Sequence, residues 1–406
     1  MKILLITQYF PPEPGAPSNR MQAFVDAMVR RGHDVTVICE FPNYPSGILR
    51  KQDKWKLFSV EDKGSYRIIR TFVLTFARKN NIKRLLYYMS FALSSAIASL
   101  LVERPDVIFS SSPPIFHVIG AMFAAWLQRS KLVLDIRDLW PDAVVEIDAM
   151  SKGRFIRWAS WMENKLYRDS SMIFATNQGA KNKIEQRGGQ GKTQVIYNGS
   201  YESILNWTGD VDSVRKKNNW ENKVVILYAG IIGLAQDINS LLPLMKRFDD
   251  KVIFQIIGNG PQKADIVNSI QKLSLKNIEV KDTVPLAELI PHLYSADLLL
   301  VVLKESNLFE TTIPSKFFDY MATGKPIITN VGGEVRQIME EYNTGIYFSV
   351  SKENSFEQAV NTLVNNPDLR QKMGENGKNL VRNRYLRSNL SDLAVKEIEK
   401  FLNKEI

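Results

Sequence analysis

Short apolar runs alternate along the chain with polar loops and with segments of helical periodicity. In the first half, the runs Lys2–Gln8, Val35–Cys39 and Asp106–Ser110 read as buried strands. The segment Asn19–Arg31 carries apolar residues at helical spacing and ends before Gly32. Regular alternation of strand and helix is typical of a parallel sheet, whose ligand-binding loops share the carboxyl edge. We therefore predict an α/β fold of the doubly wound, Rossmann-like type.

The alternating pattern is interrupted once, in a polar stretch before Val224, and then restarts with the strands Val224–Tyr228, Val252–Ile257 and Leu298–Leu303. We predict two doubly wound domains that face a central cleft, where α/β folds place their chemistry. The predicted boundaries are 1–205 for the first domain, 206–222 for a linker and 223–385 for the second domain. Residues 386–406 are predicted as a helix, for which packing back on the first domain is one option.

Composition narrows the function classes. The chain has 406 residues, which favours two domains, and its single cysteine, Cys39, excludes a disulfide framework and a cysteine-type metal site. Three scattered histidines disfavour a histidine-rich metal site. The net charge of +10 indicates an anionic partner, either nucleic acid, a phosphorylated substrate or acidic lipid. No basic–aromatic recognition pattern is present, so nucleic acid is the weakest of the three.

One segment, Arg78–Val102, has the composition of a membrane-associated segment. Its basic start (RKNNIKR) is followed by Leu85–Val102, which contains no charged residue and has the length of a membrane span. A span would separate the strands Asp106–Ser110 and Leu132–Asp135 from the rest of the sheet. Three interpretations stay open: a true span, which is the weakest, a helix buried in the domain, and a helix that docks on a membrane with its basic start against anionic headgroups.

Three loops of the first half follow predicted strands and therefore lie at one sheet edge. The first, Tyr9–Ser18, carries Glu13 and Gly15 and is followed by Arg20. The second contains Ser-Ser-Pro-Pro and leads into a helix with His117. The third contains Arg137 and Asp138 before a Trp-Pro turn. His117 lies in the apolar stretch PIFHVIGAMF, which favours a core histidine over a ligand.

The segment Lys304–Ile328 combines a strand end, a polar loop and a helix that begins at Pro314-Ser315. An N-cap serine, exposed amides and two lysines beside Asp319 suit a phosphate-and-ribose ligand. The alternative is an ordinary strand–loop–helix unit of the sheet.

The order and spacing of several motifs resemble glycosyltransferases of family 4, which have the GT-B fold. In the second half these motifs are YAGxxGLAQ, IIGxGP, the VP pair and PSKxFDYMAxGKP, at residues 228–236, 256–261, 284–285 and 314–326. In the first half they are QYFPPE, SSPP and DIRDLWP. The resemblance covers nearly the whole chain. The branch that the chain most resembles builds bacterial O-antigen and capsule repeats and includes N-acetyl-L-fucosamine transferases.

The resemblance implies an acceptor in the first domain and a nucleotide-sugar in the second, with retaining transfer that uses neither a metal nor a further cofactor. Glycines 230 and 233 would let backbone amides approach the diphosphate, the loop of Gly258 and Gly260 with Val284 would line the base, and Asp319 would bind the ribose hydroxyls. The predicted donor-binding residues are Gly230, Gly233, Gly258, Gly260, Val284, Thr312, Ser315 and Asp319. The predicted acceptor or cleft residues are Gly15, Arg20, Arg137 and His117.

The chain departs from the family pattern at two points. Thr311 stands where the family has the first glutamate of its E-x7-E motif, and the basic pair after the Tyr-Ala-Gly loop is missing. We expect other cations to balance the leaving diphosphate, and Glu13 or Asp138 to position the acceptor or the sugar. The predicted catalytic residues are Lys316, Lys304, Glu13 and Asp138.

The implied function is transfer of a sugar, with a UDP-linked N-acetylated amino sugar as the expected donor, to a polyprenyl-diphosphate-linked saccharide. The expected partners are this donor, the lipid-linked acceptor and an anionic membrane surface met through Arg78–Val102, without nucleic acid. The expected location is cytoplasmic, peripheral on the inner face of the cytoplasmic membrane. The missing basic pair supports an alternative, a non-catalytic nucleotide-sugar-binding or scaffolding protein of the same fold.

Overall fold

The computed structural model describes residues 1–43, 46–76, 81–140, 142, 153–248, 251–306 and 309–404. The chain forms two compact units. The first comprises Met1–Tyr197 and Ser388–Ile406, and the second comprises Asn198–Arg387.

The first unit contains an eight-stranded sheet in the order β3-β4-β2-β1-β5-β6-β7-β8, counted over the described residues. Strand β3 is antiparallel to β4, and the other neighbours pair in parallel. Long apolar side chains bury most of the central strands, as expected for a parallel sheet covered on both faces. The strands are β1 (Lys2–Ile6), β2 (Asp34–Glu40), β3 (Phe58–Asp62), β4 (Arg67–Thr71), β5 (Val107–Ser112), β6 (Lys131–Ile136), β7 (Met172–Ala175) and β8 (Thr193–Val195).

Helices connect these strands as crossovers. The first helix begins three residues earlier than the pattern predicts, after Gly15, whose φ of 122° favours glycine. Its start places Pro17 in the first turn, where a missing N–H costs nothing. The helices are α1 (Ala16–Arg30), α2 (Asn81–Leu101), α3 (Ile115–Gln128), α4 (Arg154–Asp169) and α5 (Gln178–Ile184).

Helix α2 contains most of the uncharged segment that the sequence analysis singles out. It links β4 to β5, which belong to one sheet, and its inner face packs closely on α3, where a Cβ on Gly120 would lie 3.1 Å from the Ala96 Cβ. Its outer face leaves apolar residues such as Leu93 and Ile97 more than half exposed. The helix is therefore not buried all round. Residues Arg78 and Lys79 of the basic start lie outside the described residues.

The second unit contains a parallel six-stranded sheet in the order β11-β10-β9-β12-β13-β14, again over the described residues. A cluster of buried apolar side chains lies on one side of these strands, around Tyr228 and Phe254. The strands are β9 (Val224–Ala229), β10 (Val252–Ile257), β11 (Ile278–Lys281), β12 (Leu298–Val301), β13 (Ile327–Thr329) and β14 (Gly345–Tyr347).

Two predicted elements of this unit differ. Residues 206–222 contain a helix, and Arg215 in it donates to Ser295 O at 2.7 Å, so this stretch is folded onto the second unit. The predicted helix Asp237–Arg247 is split into a 3-10 turn, Ile238–Leu241, and a short helix, because Pro243 lacks the N–H that a continuous helix needs. The helices are α6 (Glu202–Leu205), α7 (Val211–Lys217), α8 (Leu242–Met245), α9 (Lys263–Lys272), α10 (Leu286–Ser295), α11 (Ser315–Ala322), α12 (Gly333–Tyr342), α13 (Ser355–Val364) and α14 (Pro367–Arg384).

The last helix, α15 (Arg387–Asn403), returns to the first unit. Its apolar residues Leu390, Ala394 and Ile398 belong to the same buried cluster as Met28 of α1. Residues Ser388–Ile406 are accordingly part of the first unit by contact, although they end the chain.

Candidate active site

Two glycine-bearing loops cross at the carboxyl edge of the second sheet. Gly230 follows β9 with a φ of 140°, and its N–H donates to Ile257 O at 2.9 Å. A Cβ on Gly258 would lie 2.0 Å from Gly230 O, and one on Gly260 would lie 2.3 Å from Ile232 O. Only glycine permits this contact of backbone with backbone. Gly258 and Gly260, which were expected to line a base, therefore also fix the loop of Gly230.

The phenol of Tyr320 holds the start of this loop. Its hydroxyl accepts from Ala229 N at 2.7 Å and donates to Ala229 O at 3.1 Å. One side chain of α11 thus satisfies both backbone groups of the last residue of β9. Tyr228 adds a second constraint, because its hydroxyl donates to Ile231 O at 2.5 Å.

Lys316 extends from the first turn of α11 toward the same loop. Its Nζ lies 3.8 Å from the centroid of the Tyr228 ring, and a Cβ on Gly230 would lie 2.7 Å from this Nζ. The Nζ atom is shielded from solvent and has no hydrogen-bond acceptor in the described part of the chain. Burial lowers the pKa of the Lys316 amine to about 7. A buried amine without an acceptor, beside the backbone of a glycine, leaves a position for an anion.

Asp319 lies one turn further along α11. Its Oδ1 accepts from Ser200 Oγ at 2.8 Å, and burial raises the pKa of the carboxyl although the guanidinium of Arg387 opposes this. Arg387 donates to the carbonyls of Asn198 and Gly199, each at 2.9 Å. A ribose hydroxyl bound by Asp319 would share the carboxylate with Ser200.

The N-cap of α11 differs from the prediction. Pro314 occupies the cap position, Ser315 is the first helical residue, and no side chain caps the helix. The expected N-cap serine is therefore wrong. The neighbouring Thr312 donates its N–H to Phe309 O at 3.1 Å, within a short 3-10 turn.

Lys304 and Lys316 do not line the same cavity. Lys304 is exposed and lines a polar cavity of about 370 Å³ together with Glu305, Glu310 and Gly332, and Lys316 is not among the described lining residues. Glu305 accepts from Val350 N at 2.8 Å. The N–H of Lys304 donates to Ala235 O at 2.8 Å, so the backbone of Lys304 contacts the loop that follows β9.

The remaining predicted donor residues lie at this edge. Gly233 donates its N–H to Gln236 Oε1 at 3.2 Å, so that this amide is already used within its own loop. Val284 follows β11, at the end of the sheet, and is half-buried.

In the first unit, Glu13 is part of a buried polar cluster that the sequence analysis missed. Glu13 Oε1 accepts from Asn43 N at 2.8 Å, and Asn43 and Gln8 both donate to the carboxylate of Glu40 at 2.8 Å. The hydroxyl of Tyr87 in α2 donates to Glu40 as well. Burial and the carboxylate of Glu13 raise the pKa of Glu40. The signal was a glutamate at the end of an otherwise apolar strand.

Arg20 belongs to a buried ion pair. It is 4% exposed, its Nη2 donates to Asp135 Oδ1 at 2.8 Å and to Ile196 O at 2.9 Å, and its Nη1 donates to Tyr197 O at 3.1 Å. The side chain thus joins β6 to the end of β8, and its role as a cleft residue stays a prediction.

The loop after β6 contains Arg137 and Asp138. Arg137 donates to Ser111 Oγ at 3.0 Å and to Pro113 O, so it ties two carboxyl-edge loops together. Asp138 is exposed at this edge.

His117 lies in the core of α3. It is 1% exposed, its ring is 5.6 Å from that of Phe91, and burial lowers its pKa to about 3. This position agrees with a core histidine, and the assignment of His117 as a cleft residue stays a prediction.

Comparison with known proteins identifies the families that the chain matches. The chain matches two protein families, the glycosyl transferase 4-like domain over residues 15–199 and glycosyl transferases group 1 over residues 210–380. It is 26% identical over 336 residues to the putative colanic acid biosynthesis glycosyl transferase WcaI of Escherichia coli K12, covering 80% of this chain and 82% of that protein.

Among solved structures, the chain resembles Anabaena Alr3699/HepE in complex with UDP and glucose, with a TM-score of 0.72, 14% identity and coverage of 98% and 100% of the two chains. It also resembles WaaG, a glycosyltransferase involved in lipopolysaccharide biosynthesis, with a TM-score of 0.67, 12% identity and coverage of 96% and 99%. At these identities the likeness concerns the fold. The chain is therefore a glycosyltransferase of the GT-B fold, with a glycosyl transferase 4-like domain in its first half and a group 1 domain in its second.

Proposed function

We propose that the enzyme transfers a sugar from a UDP-sugar to a polyprenyl-diphosphate-linked saccharide, with retention of configuration, in the synthesis of a bacterial surface polysaccharide. The donor half of this proposal rests on the Nζ of Lys316, which is buried beside Gly230 and has no acceptor among the described residues. A diphosphate at this point would supply the missing negative charge. The resemblance to N-acetyl-L-fucosamine transferases favours an N-acetylated amino sugar as the donor sugar.

The chemistry of the donor site follows from charge. Breaking the glycosidic bond leaves negative charge on the diphosphate, which backbone amides, a helix N-terminus and a cation stabilise. Lys316, whose amine lies beside Gly230, offers the cation, and the start of α11, from whose first turn it extends, offers the helix N-terminus. The amides of Gly230 and Gly233 already donate to Ile257 O and Gln236 Oε1, so a diphosphate would need other amides of this loop. In front-face retention the leaving phosphate accepts the proton of the acceptor hydroxyl, so this region would serve both the leaving group and the proton transfer.

The pH dependence of UDP binding tests the site. The pKa of Lys316 is about 7 without ligand, and a bound diphosphate should raise it, because the anion favours the charged amine. Binding at pH 8.5 should therefore take up about one proton, and the affinity should fall as the pH rises above about 7. Calorimetric titration with UDP in buffers of different ionisation enthalpy measures this uptake.

Lys316→Met is the matched variant for this titration, since it keeps most of the length of the side chain and removes the charge. It should bind UDP without the uptake. An equal proton uptake in wild type and Lys316→Met would show that another group senses the diphosphate.

We also propose that the enzyme works at the inner face of the cytoplasmic membrane. Among the described residues, one helix, Ile82–Leu101, is long and apolar enough to cross a membrane, and 22% of its most apolar window is buried. Because α2 connects β4 and β5, two strands of one sheet, a position on the membrane surface suits it better than a span. Trp55, which is 95% exposed between Lys54 and Lys56, adds an aromatic and two cations of the kind that anchor proteins at the lipid interface.

Co-sedimentation with vesicles tests the docking. Lys83→Gln/Arg84→Gln should reduce binding to phosphatidylglycerol vesicles by about tenfold or more, because each basic residue near an anionic surface contributes about 1 kcal/mol. Lys272→Gln/Lys276→Gln, two exposed positions of the second unit, is the control and should bind as wild type does. Unchanged sedimentation of the Lys83/Arg84 variant would remove α2 as the docking element.

A further inference from the structure

The outer face of α2 and the β3–β4 hairpin enclose an apolar groove of about 870 Å³. Its walls include Phe58 and Val60 of β3 on one side and Leu93 and Ile97 of α2 on the other, all of them more than half exposed. The volume lies in the range of small-molecule sites, and solvent-exposed apolar surface of this extent marks a binding region.

The groove offers almost no polar group to an occupant. The Ser90 hydroxyl donates to Tyr87 O at 2.8 Å and accepts from Leu74 N at 2.9 Å. The Ser94 hydroxyl donates to Phe72 O at 2.6 Å. The two serine hydroxyls are thus engaged with the protein backbone, and the hydroxyl of Thr71, which also lines the groove, accepts from Ser94 Oγ at 3.1 Å. A peptide would bring N–H and C=O groups that the groove leaves without partners, at a considerable cost, whereas a hydrocarbon chain brings none.

The groove begins at the edge where the acceptor is expected. Thr71 and Phe72, at the carboxyl end of β4, line it together with Leu86 from the first turns of α2. The next residue, Tyr87, donates to Glu40, the last residue of β2. This end of the groove therefore adjoins the carboxyl edge of the first sheet. From there the groove follows α2 as far as Leu101.

We infer that this groove holds the isoprenoid chain of the lipid-linked acceptor while its diphosphate and sugar lie at the carboxyl edge. Because the groove ends at the carboxyl edge, the headgroup of a lipid whose chain lies in the groove would meet the loops where the acceptor is expected. This position favours the chain of the acceptor over the acyl chain of a bilayer lipid. The inference rests on the proposed lipid-linked acceptor and adds where its chain binds.

Farnesyl diphosphate, titrated calorimetrically into the full chain without vesicles, tests the inference. We expect it to bind at least about tenfold more tightly than inorganic diphosphate, because burial of two or three methylene groups is sufficient for such a difference. Leu93→Gln/Ile97→Gln should remove this advantage. Both side chains are more than half exposed, so the change should not unfold the protein. Leu100→Gln, on the same helix but not lining the groove, should retain wild-type affinity.

Several results would overturn the inference. One is equal affinity for farnesyl diphosphate and inorganic diphosphate, and another is wild-type affinity of Leu93→Gln/Ile97→Gln for farnesyl diphosphate. Displacement of farnesyl diphosphate by short-chain phosphatidylglycerol at equal concentration would assign the groove to bilayer lipid. Self-association of the chain, measured by sedimentation, that abolishes the binding of farnesyl diphosphate would assign the groove to a second copy of the chain. UDP binding, measured in parallel on the same variants, reports separately on the proposed donor site, so failure of one proposal does not imply failure of the other.

Discussion

Lys316→Met should lower kcat by about tenfold or more while the protein becomes no less stable to heat. The loss is expected because one cation on the leaving diphosphate contributes a few kcal/mol when the glycosidic bond breaks. Stability should be kept or increased because the variant removes a buried amine that has no acceptor in the described structure. Steady-state release of UDP and thermal unfolding, on the same preparation, measure both quantities.

A lower kcat together with unchanged or higher thermal stability distinguishes an amine that acts in catalysis from one that supports the fold. Since burial lowers the pKa of Lys316, the unfolded chain binds more protons than the folded one between about pH 7 and the ordinary lysine pKa. The wild type should therefore gain stability relative to Lys316→Met as the pH rises through this window. Lys304→Ala serves as the comparison, because Lys304 is exposed whereas the amine of Lys316 is buried. Wild-type turnover of Lys316→Met would contradict the assignment, and a strong loss in Lys304→Ala alone would move it to Lys304.

Asp135→Ala should destabilise the first unit by about 3–5 kcal/mol, because it leaves the guanidinium of Arg20 buried without its carboxylate. Asp135 is fully buried and accepts from Arg20 Nη2 at 2.8 Å and from Ser111 Oγ at 3.0 Å. Urea unfolding followed by tryptophan fluorescence measures the free energy.

An exposed ion pair of the same unit provides the control. Arg30 and Asp392 lie 3.0 Å apart with about half and one third of their side chains exposed, so Asp392→Ala should change the free energy of unfolding by less than about 1 kcal/mol. Replacing both partners, as Arg20→Met/Asp135→Leu, should recover part of the loss. If Asp135→Ala unfolds like the wild type but loses turnover, Arg20 has the ligand role that the sequence suggested.

The sheets could be predicted from the sequence because buried parallel strands are nearly continuous apolar runs. The predicted strand Val252–Ile257 has the bounds of β10, and Val224–Tyr228 is one residue short of β9. Strand β3 was missed because it lies at the edge of the sheet, where its apolar residues Phe58 and Val60 are exposed and form no continuous apolar run. The exposed side of α2 could not be predicted either, since the helix is apolar on all sides and its periodicity does not indicate which side is covered.

The candidate site was predictable only where a motif is local. PSKxFDYMA identified Lys316 and Asp319, and their place on α11 follows from helical spacing. The partners of these residues are distant in sequence. Ser200 is 119 residues from Asp319, and Asp135 is 115 residues from Arg20, so neither pairing is visible in a periodic pattern. For this reason the sequence did not show that Arg20 belongs to a buried ion pair.

The hydroxyl of Tyr320 occupies both backbone groups of Ala229, 91 residues earlier in the chain. A single phenol thus ends one strand and sets the start of the loop into which Lys316 extends. We therefore expect the Tyr-Ala-Gly and Pro-Ser-Lys motifs to change together in evolution. Among relatives, a change at Tyr320 should be accompanied by changes at Gly230 and Lys316, and a chimera that exchanges one motif without the other should lose its donor affinity.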